Sequence, residues 1–257
     1  MCLHIVEIGV RTLQMHFFWK RVLFFLFAMA LIAGFCCVSV VYLSDAHETA
    51  AMTDQKCTLI LDAGHGGEDG GAVSANGMIE AEVNLQITQR LRALAELAGV
   101  PVVMTRTSAD IAYPDSATTT AQRKVADQKQ RVEQINAVSN AVLISIHQNC
   151  FPHTSPRGSQ VLYAATEGSD VLGAMMHENL NAYLNPENRR VAAPISEKIY
   201  LMRNVHCPAV LVECGFLSNP DEAACLADPG YQTKLAAVIL ASYLQYRQTL
   251  PQTGRIT

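Results

Sequence analysis

The sequence predicts an α/β protein with a mainly parallel, twisted sheet and helices on both faces, preceded by one N-terminal transmembrane helix. Beyond residue 56 of the 257-residue chain, short apolar segments alternate with longer segments whose apolar residues recur at helical spacing. That alternation is typical of parallel strands joined by helices. The third observation is a stretch of 22 residues without charge, 22–43, near the N-terminus.

Residues 22–43 are rich in Leu, Phe, Val and Ala. About 20 apolar residues span a bilayer as a helix, whereas the apolar region of a cleaved signal peptide has about 7–15 residues. The length therefore favours a retained signal-anchor. Cleavage stays open as an alternative, because Ala50 and Ala51 offer a tolerable site.

The distribution of basic residues sets the expected orientation of this helix. Basic residues precede the apolar run, and the next one is Lys56. Basic flanks stay on the cytoplasmic side, so residues 1–21 are predicted to be cytoplasmic and the domain to be extracytoplasmic. The small, polar residues 44–55 are predicted to form a linker, and residues 56–250 a folded domain.

Six segments are predicted to be strands because they are short and mostly apolar: 57–63, 100–105, 141–146, 159–164, 199–202 and 209–212. Five longer segments show helical spacing of apolar residues: 80–98, 122–138, 170–184, 220–227 and 231–246. The first of these ends before Gly99 and the third before Pro186, which are helix stop signals.

Charge and cysteine content narrow the class of protein. From Lys56 onward the chain has 16 Lys and Arg against 19 Asp and Glu and no basic stripe, so nucleic acid is not an expected partner. The same part has five cysteines without a CxxC pair: Cys57, Cys150, Cys207, Cys214 and Cys225. An odd number in apolar surroundings predicts buried free thiols rather than a disulfide framework.

Three predicted strands end at or just before a titratable residue: His65, His147 and Glu213. Sites in open parallel sheets lie at the carboxyl ends of the strands, so these side chains are expected to meet. Catalytic zinc commonly takes two histidines and one carboxylate. Either Glu80 or Glu82, at the start of the first predicted helix, could supply that carboxylate.

A phosphate cradle is a poor explanation of the glycines around His65. They lack the GxGxxG spacing, and Glu68 and Asp69 would repel an anion. Glu213 follows an apolar strand, where burial would raise its pKa and suit it to be a general base.

The alternative for Glu213 is a structural ion pair with Arg203 or Arg106. The roles of Asn149 and Arg203, which could orient or bind substrate, stay open.

Four segments carry a family resemblance: 62–67 (DAGHGG), 76–85 (NGMIEAEVNL), 145–149 (SIHQN) and 212–219 (VECGFLSN). These four segments follow one another in the order typical of the zinc-dependent N-acetylmuramoyl-L-alanine amidase family (amidase type 3). The chain resembles this family from about Cys57 to Tyr246. Its short, anchored form is similar to the spore-cortex, germination-specific members.

The resemblance implies one Zn²⁺ per chain, with His65, Glu80 and His147 as ligands and Glu213 as the catalytic residue. Glu82 falls where the family varies. It also implies hydrolysis of the amide between N-acetylmuramic acid and L-alanine in peptidoglycan. Departures from the family pattern at Ala63, Gln148 and Cys214 remove no group that this chemistry needs.

Two other functions stay open at this point: a zinc carboxypeptidase acting on wall peptides, and a non-catalytic wall-binding regulator. A regulator of that kind would be expected to have lost a ligand or the glutamate. The expected partners are peptidoglycan, the cytoplasmic membrane through residues 22–43, and an accessory protein of unknown identity. The sequence does not distinguish vegetative wall from spore cortex.

Overall fold

The computed structural model of the protein describes residues 57–250. Its elements, in chain order, are β1 (Thr58–Ala63), α1 (Glu80–Leu97), β2 (Val102–Met104), α2 (Thr120–Asn136), β3 (Ala141–Asn149), β4 (Gln160–Tyr163), α3 (Ser169–Tyr183), β5 (Ala193–Pro194), α4 (Tyr200–Asn204), β6 (Ala209–Phe216), α5 (Pro220–Ala227) and α6 (Pro229–Arg247). The predicted segments 1–21, 22–43 and 44–55 lie outside the described residues. Within residues 57–250, no helix has the length and apolar character that a membrane span requires.

The strands form one sheet in the order β2-β1-β3-β6-β4-β5. The first four are mutually parallel, and β4 runs antiparallel to β6 with β5 parallel to β4. The prediction of a mainly parallel α/β sheet is therefore confirmed. The carboxyl ends of β1, β3 and β6 meet at one edge, and β4 begins at that same edge.

Helices cover both faces of the sheet because alternate strand residues point to opposite sides. Leu59 and Leu61 pack in a core with α1, α3 and α6, whereas Ile60 packs in a second core with residues of α2 and α4. In β6 the same alternation places Cys214 in the first core. Glu213, its neighbour, therefore points to the side of the second core.

The structure corrects two details of the predicted elements. The segment 199–202, predicted as a strand, begins the helix α4, whose Leu201 and Met202 are buried against the sheet. A run of Ile, Tyr, Leu and Met has the composition of a strand, but here one helical turn supplies the packing. The short β5 was not predicted; it pairs with the end of β4 and contains Pro194, a residue that sheets tolerate at their edges.

Two strands run further than predicted. β3 continues to Asn149 and β6 to Phe216, so His147 and Glu213 lie within paired strands rather than beyond them, directly opposite each other. The cysteine prediction is also wrong in part, because Cys150 and Cys225 are exposed, although all five described cysteines are free thiols.

Candidate active site

His65 follows β1 in a turn that only a glycine-rich sequence can form. Its own φ is 60°, and Gly66, Gly67 and Gly71 also have positive φ, a conformation that costs glycine little. At Gly71 a Cβ atom would lie 2.5 Å from Glu80 Oε2 and 2.8 Å from the His65 ring. The glycines therefore let the backbone wrap closely around His65.

Three predicted metal ligands converge at the carboxyl edge of the sheet. Glu80, the first residue of α1, places Oε1 at 3.3 Å from His65 Nε2 and 3.1 Å from His147 Nδ1. One ligand atom from each of the three residues lies within 4.8 Å of the others, so the group could hold a metal ion. Glu82 is exposed and takes no part in this cluster.

The Glu80 carboxylate is held in its ionised form. Burial acts to raise its pKa, but hydrogen bonds and charge from His147 and His65 outweigh burial and hold the pKa well below the usual range. The backbone N–H of Ala72 donates to Oε2 at 2.8 Å, and that of Gln148 donates to Oε1 at 3.1 Å. Glu80 therefore presents a fixed negative charge to both imidazoles.

His65 is oriented through its second ring nitrogen. Nδ1 lies 3.0 Å from Asp69 Oδ2, which leaves Nε2 on the side of Glu80. Burial acts to lower the pKa of His65, but the contacts with Glu80 and Asp69 raise it overall. The local sequence offers one signal for this role of Asp69, which is its position four residues after His65.

Glu213 lines the same cavity as His65, Glu80 and His147. Burial raises its pKa to about 7; the two histidines oppose this shift, whereas Glu80 adds to it. Its Oε2 is buried and has no hydrogen-bond partner among residues 57–250. A carboxyl group with a pKa near neutrality and a free oxygen can accept and return a proton.

The alternative of a structural ion pair for Glu213 is wrong. The guanidinium of Arg106 donates instead to the carbonyls of Ala63, Gly64 and Ala81. Arg203 is exposed and lies over the ring of Tyr200.

A second buried arginine, Arg131 of α2, fixes the turn that carries His65. It donates to the carbonyl of His65 at 2.7 Å, to that of Ala63 at 2.8 Å and to Asp62 Oδ1 at 2.8 Å. Burial would raise the pKa of Asp62, but the charge of Arg131 and two hydroxyl hydrogen bonds lower it to about 2. This network was missed because its members are far apart in sequence.

Some further polar residues line the catalytic cavity, and two residues whose roles the sequence left open do not. Lys124, Gln128 and Lys198 line the cavity, and no motif in the sequence pointed to them. Asn149 and Arg203 are not among its lining residues. The Asn149 side-chain oxygen instead accepts a hydrogen bond from the backbone N–H of Cys150.

Comparison with known proteins adds independent findings. The family model described as N-acetylmuramoyl-L-alanine amidase matches residues 59–243. The germination-specific N-acetylmuramoyl-L-alanine amidase of Bacillus subtilis is 37% identical over 194 residues, which are 73% of this chain and 78% of that protein.

The fold is also similar to those of solved amidase structures. The CwlD amidase of Clostridioides difficile, solved in complex with the GerS lipoprotein, has 36% identity and a TM-score of 0.72, covering 75% of this chain and 99% of that chain. The amidase AmiC2 of Nostoc punctiforme has 26% identity and a TM-score of 0.64, covering 75% and 98%.

Proposed function

Since the chain belongs to the N-acetylmuramoyl-L-alanine amidase family, we propose that His65, Glu80 and His147 hold a zinc ion and that Glu213 moves the proton during catalysis. The enzyme hydrolyses the amide bond between N-acetylmuramic acid and L-alanine in peptidoglycan. The observation that carries the assignment of residues is geometric. The buried Oε2 of Glu213, unpartnered among residues 57–250, lies in the wall of the same cavity as the three converging ligand atoms.

The three ligand side chains fit zinc by their chemistry. Two imidazole nitrogens and one ionised carboxylate form a common catalytic zinc set, which leaves a fourth position open. When bound, zinc supplies a Lewis acid for the amide carbonyl and lowers the pKa of water. The Glu80 carboxylate, kept ionised by its surroundings, adds the negative charge that such a cation requires.

The protein's own contribution to the reaction is proton transfer and orientation. Glu213 accepts a proton at Oε2 from the attacking water, whose oxygen bonds to the amide carbon. Glu213 then gives that proton to the nitrogen as the carbon–nitrogen bond breaks, so the leaving group departs as a neutral amine. No covalent intermediate with the protein is needed. Asp69 and Arg131 keep the His65 ring and backbone in place.

We also propose that the substrate is spore-cortex peptidoglycan and that residues 22–43 anchor the enzyme, with its catalytic domain outside the cytoplasmic membrane. The similarity to the germination-specific enzyme of Bacillus subtilis supports the first proposal, and the uncharged length of the segment supports the second. An accessory protein is a further proposal, supported by the related CwlD amidase having been solved with a lipoprotein.

The test uses the full chain and its Glu213→Gln variant, incubated with purified vegetative and cortex peptidoglycan, with and without a chelator. Mass spectrometry is expected to find stem peptides that begin with L-alanine together with peptide-free muramic acid, lost on chelation and restored by zinc. Glu213→Gln should bind zinc as the wild type does but hydrolyse about 10²- to 10⁴-fold more slowly. A matched control is Glu133→Gln, at an exposed position on α2.

Other outcomes would contradict specific parts of the proposal. Release of single C-terminal amino acids would indicate a carboxypeptidase instead. Turnover by Glu213→Gln at the wild-type rate would remove Glu213 from the mechanism. Digestion of vegetative wall but not cortex would refute the assignment of substrate.

A further inference from the structure

Asn84, on α1, is a buried polar residue that the mechanism above does not use. Its side chain is fully enclosed, with 0% of its surface exposed. It lies four residues after Glu80, and residues at this spacing are neighbours on one face of a helix. The Asn84 amide therefore lies beside the Glu80 carboxylate, on the buried face of α1.

The Asn84 side chain contacts all three segments that carry the proposed zinc ligands. Its Nδ2 donates to the carbonyl of Gly64, in the turn after β1, at 3.1 Å and, in a longer contact, to Glu80 Oε1 at 3.4 Å. Its Oδ1 accepts a hydrogen bond from Nε2 of Gln148, in β3, at 3.1 Å. One buried amide thus joins the turn after β1, the first turn of α1 and the end of β3.

Chemistry fixes the direction of these hydrogen bonds. A carbonyl and an ionised carboxylate can only accept, so the amide nitrogen of Asn84 must face Gly64 and Glu80. The Asn84 oxygen then faces Gln148, whose side chain must donate through Nε2. The hydrogen bonds therefore run from Gln148 through Asn84 to a carboxylate, and a charged acceptor of this kind strengthens the bond that ends on it.

Gln148 supports Glu80 by two routes, directly through its backbone N–H and indirectly through its side chain and Asn84. The Gln148 side chain is buried, and its own Oε1 has no hydrogen-bond partner among residues 57–250. A buried amide with one atom unpaired costs free energy. Stability alone therefore does not explain this side chain, whereas its bond to Asn84 gives it a role.

The oxygen that these donors reach is the one that faces both histidines. Glu80 Oε1 lies 3.3 Å from His65 Nε2 and 3.1 Å from His147 Nδ1. A rotation of the carboxylate would take this atom away from the imidazoles. Hydrogen-bond partners behind metal ligands fix the orientation of those ligands, and their loss commonly weakens metal binding.

We infer that Asn84 and Gln148 are positioning residues of the metal site: Asn84 holds the Glu80 carboxylate between the two imidazoles, and the Gln148 side chain fixes Asn84. This inference rests on the proposed function, which makes His65, Glu80 and His147 the zinc ligands. Asn84 is not among the residues that line the catalytic cavity. Its effect on the metal therefore passes through Glu80.

The experiment measures zinc affinity separately from stability. The full chain and its Asn84→Ala and Gln148→Ala variants are titrated with Zn²⁺ against a competing chelator, and urea unfolding of each metal-free protein is followed by circular dichroism. Asn84→Ala should bind zinc about 10- to 100-fold more weakly than the wild type. Gln148→Ala, which removes one indirect hydrogen bond, should bind it about 2- to 10-fold more weakly.

A double variant tests whether the two residues act in sequence. If Gln148 acts through Asn84, the variant with both alanine substitutions should bind zinc no more weakly than Asn84→Ala alone. Losses that multiply would overturn the proposed order of the two residues. Should Asn84→Ala fail to fold, Gln148→Ala decides the question, because an unchanged zinc affinity in that variant would overturn the inference.

Thr88 provides a matched control on the same helix. It is also fully buried, and its hydroxyl donates to the backbone carbonyl of Asn84 at 2.6 Å. Thr88→Val should lower the free energy of unfolding, because it removes a buried hydrogen bond, but should leave the zinc affinity unchanged. If Thr88→Val weakens zinc binding as much as Asn84→Ala does, loosening of α1 explains both results and the inference fails.

The wild type and its His147→Ala variant decide the proposed function separately. If the wild type binds one zinc that His147→Ala loses, while Asn84→Ala and Gln148→Ala keep the wild-type affinity, the proposed metal site stands and the positioning roles fail. If the wild type binds no zinc, or His147→Ala binds it equally well, the proposed metal site fails and the inference fails with it.

Discussion

Replacing Glu213 by Gln should change how the stability of the metal-free protein depends on pH. Burial raises the pKa of Glu213 from the ordinary 4.5 to about 7 in the folded state. The folded protein therefore favours the protonated carboxyl. Its stabilising contribution is fully present below pH 4.5 and is lost as the pH rises through about 7.

The magnitude follows from that difference. One pKa unit corresponds to about 1.4 kcal/mol, so the wild type should lose about 3 kcal/mol between pH 4 and pH 8 through this residue alone. Gln does not titrate, and all other groups are common to both proteins. The stability of Glu213→Gln relative to the wild type should therefore rise by about 3 kcal/mol over this range.

The assay is urea unfolding of the full chain at several pH values, followed by circular dichroism with chelator present. Chelator is needed because a bound cation would stabilise the ionised form of Glu213 and reduce the effect. The control Glu133→Gln, at an exposed position, should differ from the wild type by less than about 0.5 kcal/mol throughout. A constant difference between Glu213→Gln and the wild type from pH 4 to pH 8 would refute the claim that this carboxyl is desolvated.

Three further substitutions test the ligands and the residues that hold them. His147→Ala should leave less than one zinc per chain after dialysis, measured by mass spectrometry of the metal; one tightly held zinc would rule out this ligand. Gly64→Ala would drive a Cβ atom into the His147 ring. The affinity for zinc, measured against a competing chelator, should therefore fall about 10- to 100-fold. An affinity equal to that of the wild type would show that the ring can move, and would contradict this prediction. Arg131→Met leaves Asp62 as an unpaired buried charge and should lower the free energy of unfolding in urea by about 3–5 kcal/mol. The control Arg203→Met, at an exposed position, should lower it by less than about 0.5 kcal/mol. Equal losses in the two variants would contradict the role given to Arg131.

Much of the fold could be predicted because its signals are local. Each buried strand is a short apolar run, and each long helix repeats its apolar residues at a period that a single segment displays. The errors fall where a segment is too short for a period to show. The residues at 199–202 are compatible with strand or helix, and packing of Leu201 and Met202 against the sheet selects the helix.

The choice between Glu80 and Glu82 shows where local reasoning stops. Both lie in the first turn of α1, and spacing alone allowed either to face the metal. Two residues along a helix is roughly 200° around its axis, so only one of the pair can point at the cluster. The structure places Glu80 between His65 and His147 and leaves Glu82 in solvent.

The sequence by itself determined most of the alternating elements, the edge of the sheet that carries chemistry, and His65, His147 and Glu213 as residues at that edge. It could do so because strand length, helical period and polar residues at strand ends are properties of contiguous segments. Only the tertiary structure decided what surrounds those residues: the hydrogen bonds from Arg131 to Asp62 and to the His65 carbonyl, and the burial that raises the pKa of Glu213. Each depends on groups tens of residues apart, whose proximity is fixed by the order of strands in the sheet and not by any local pattern.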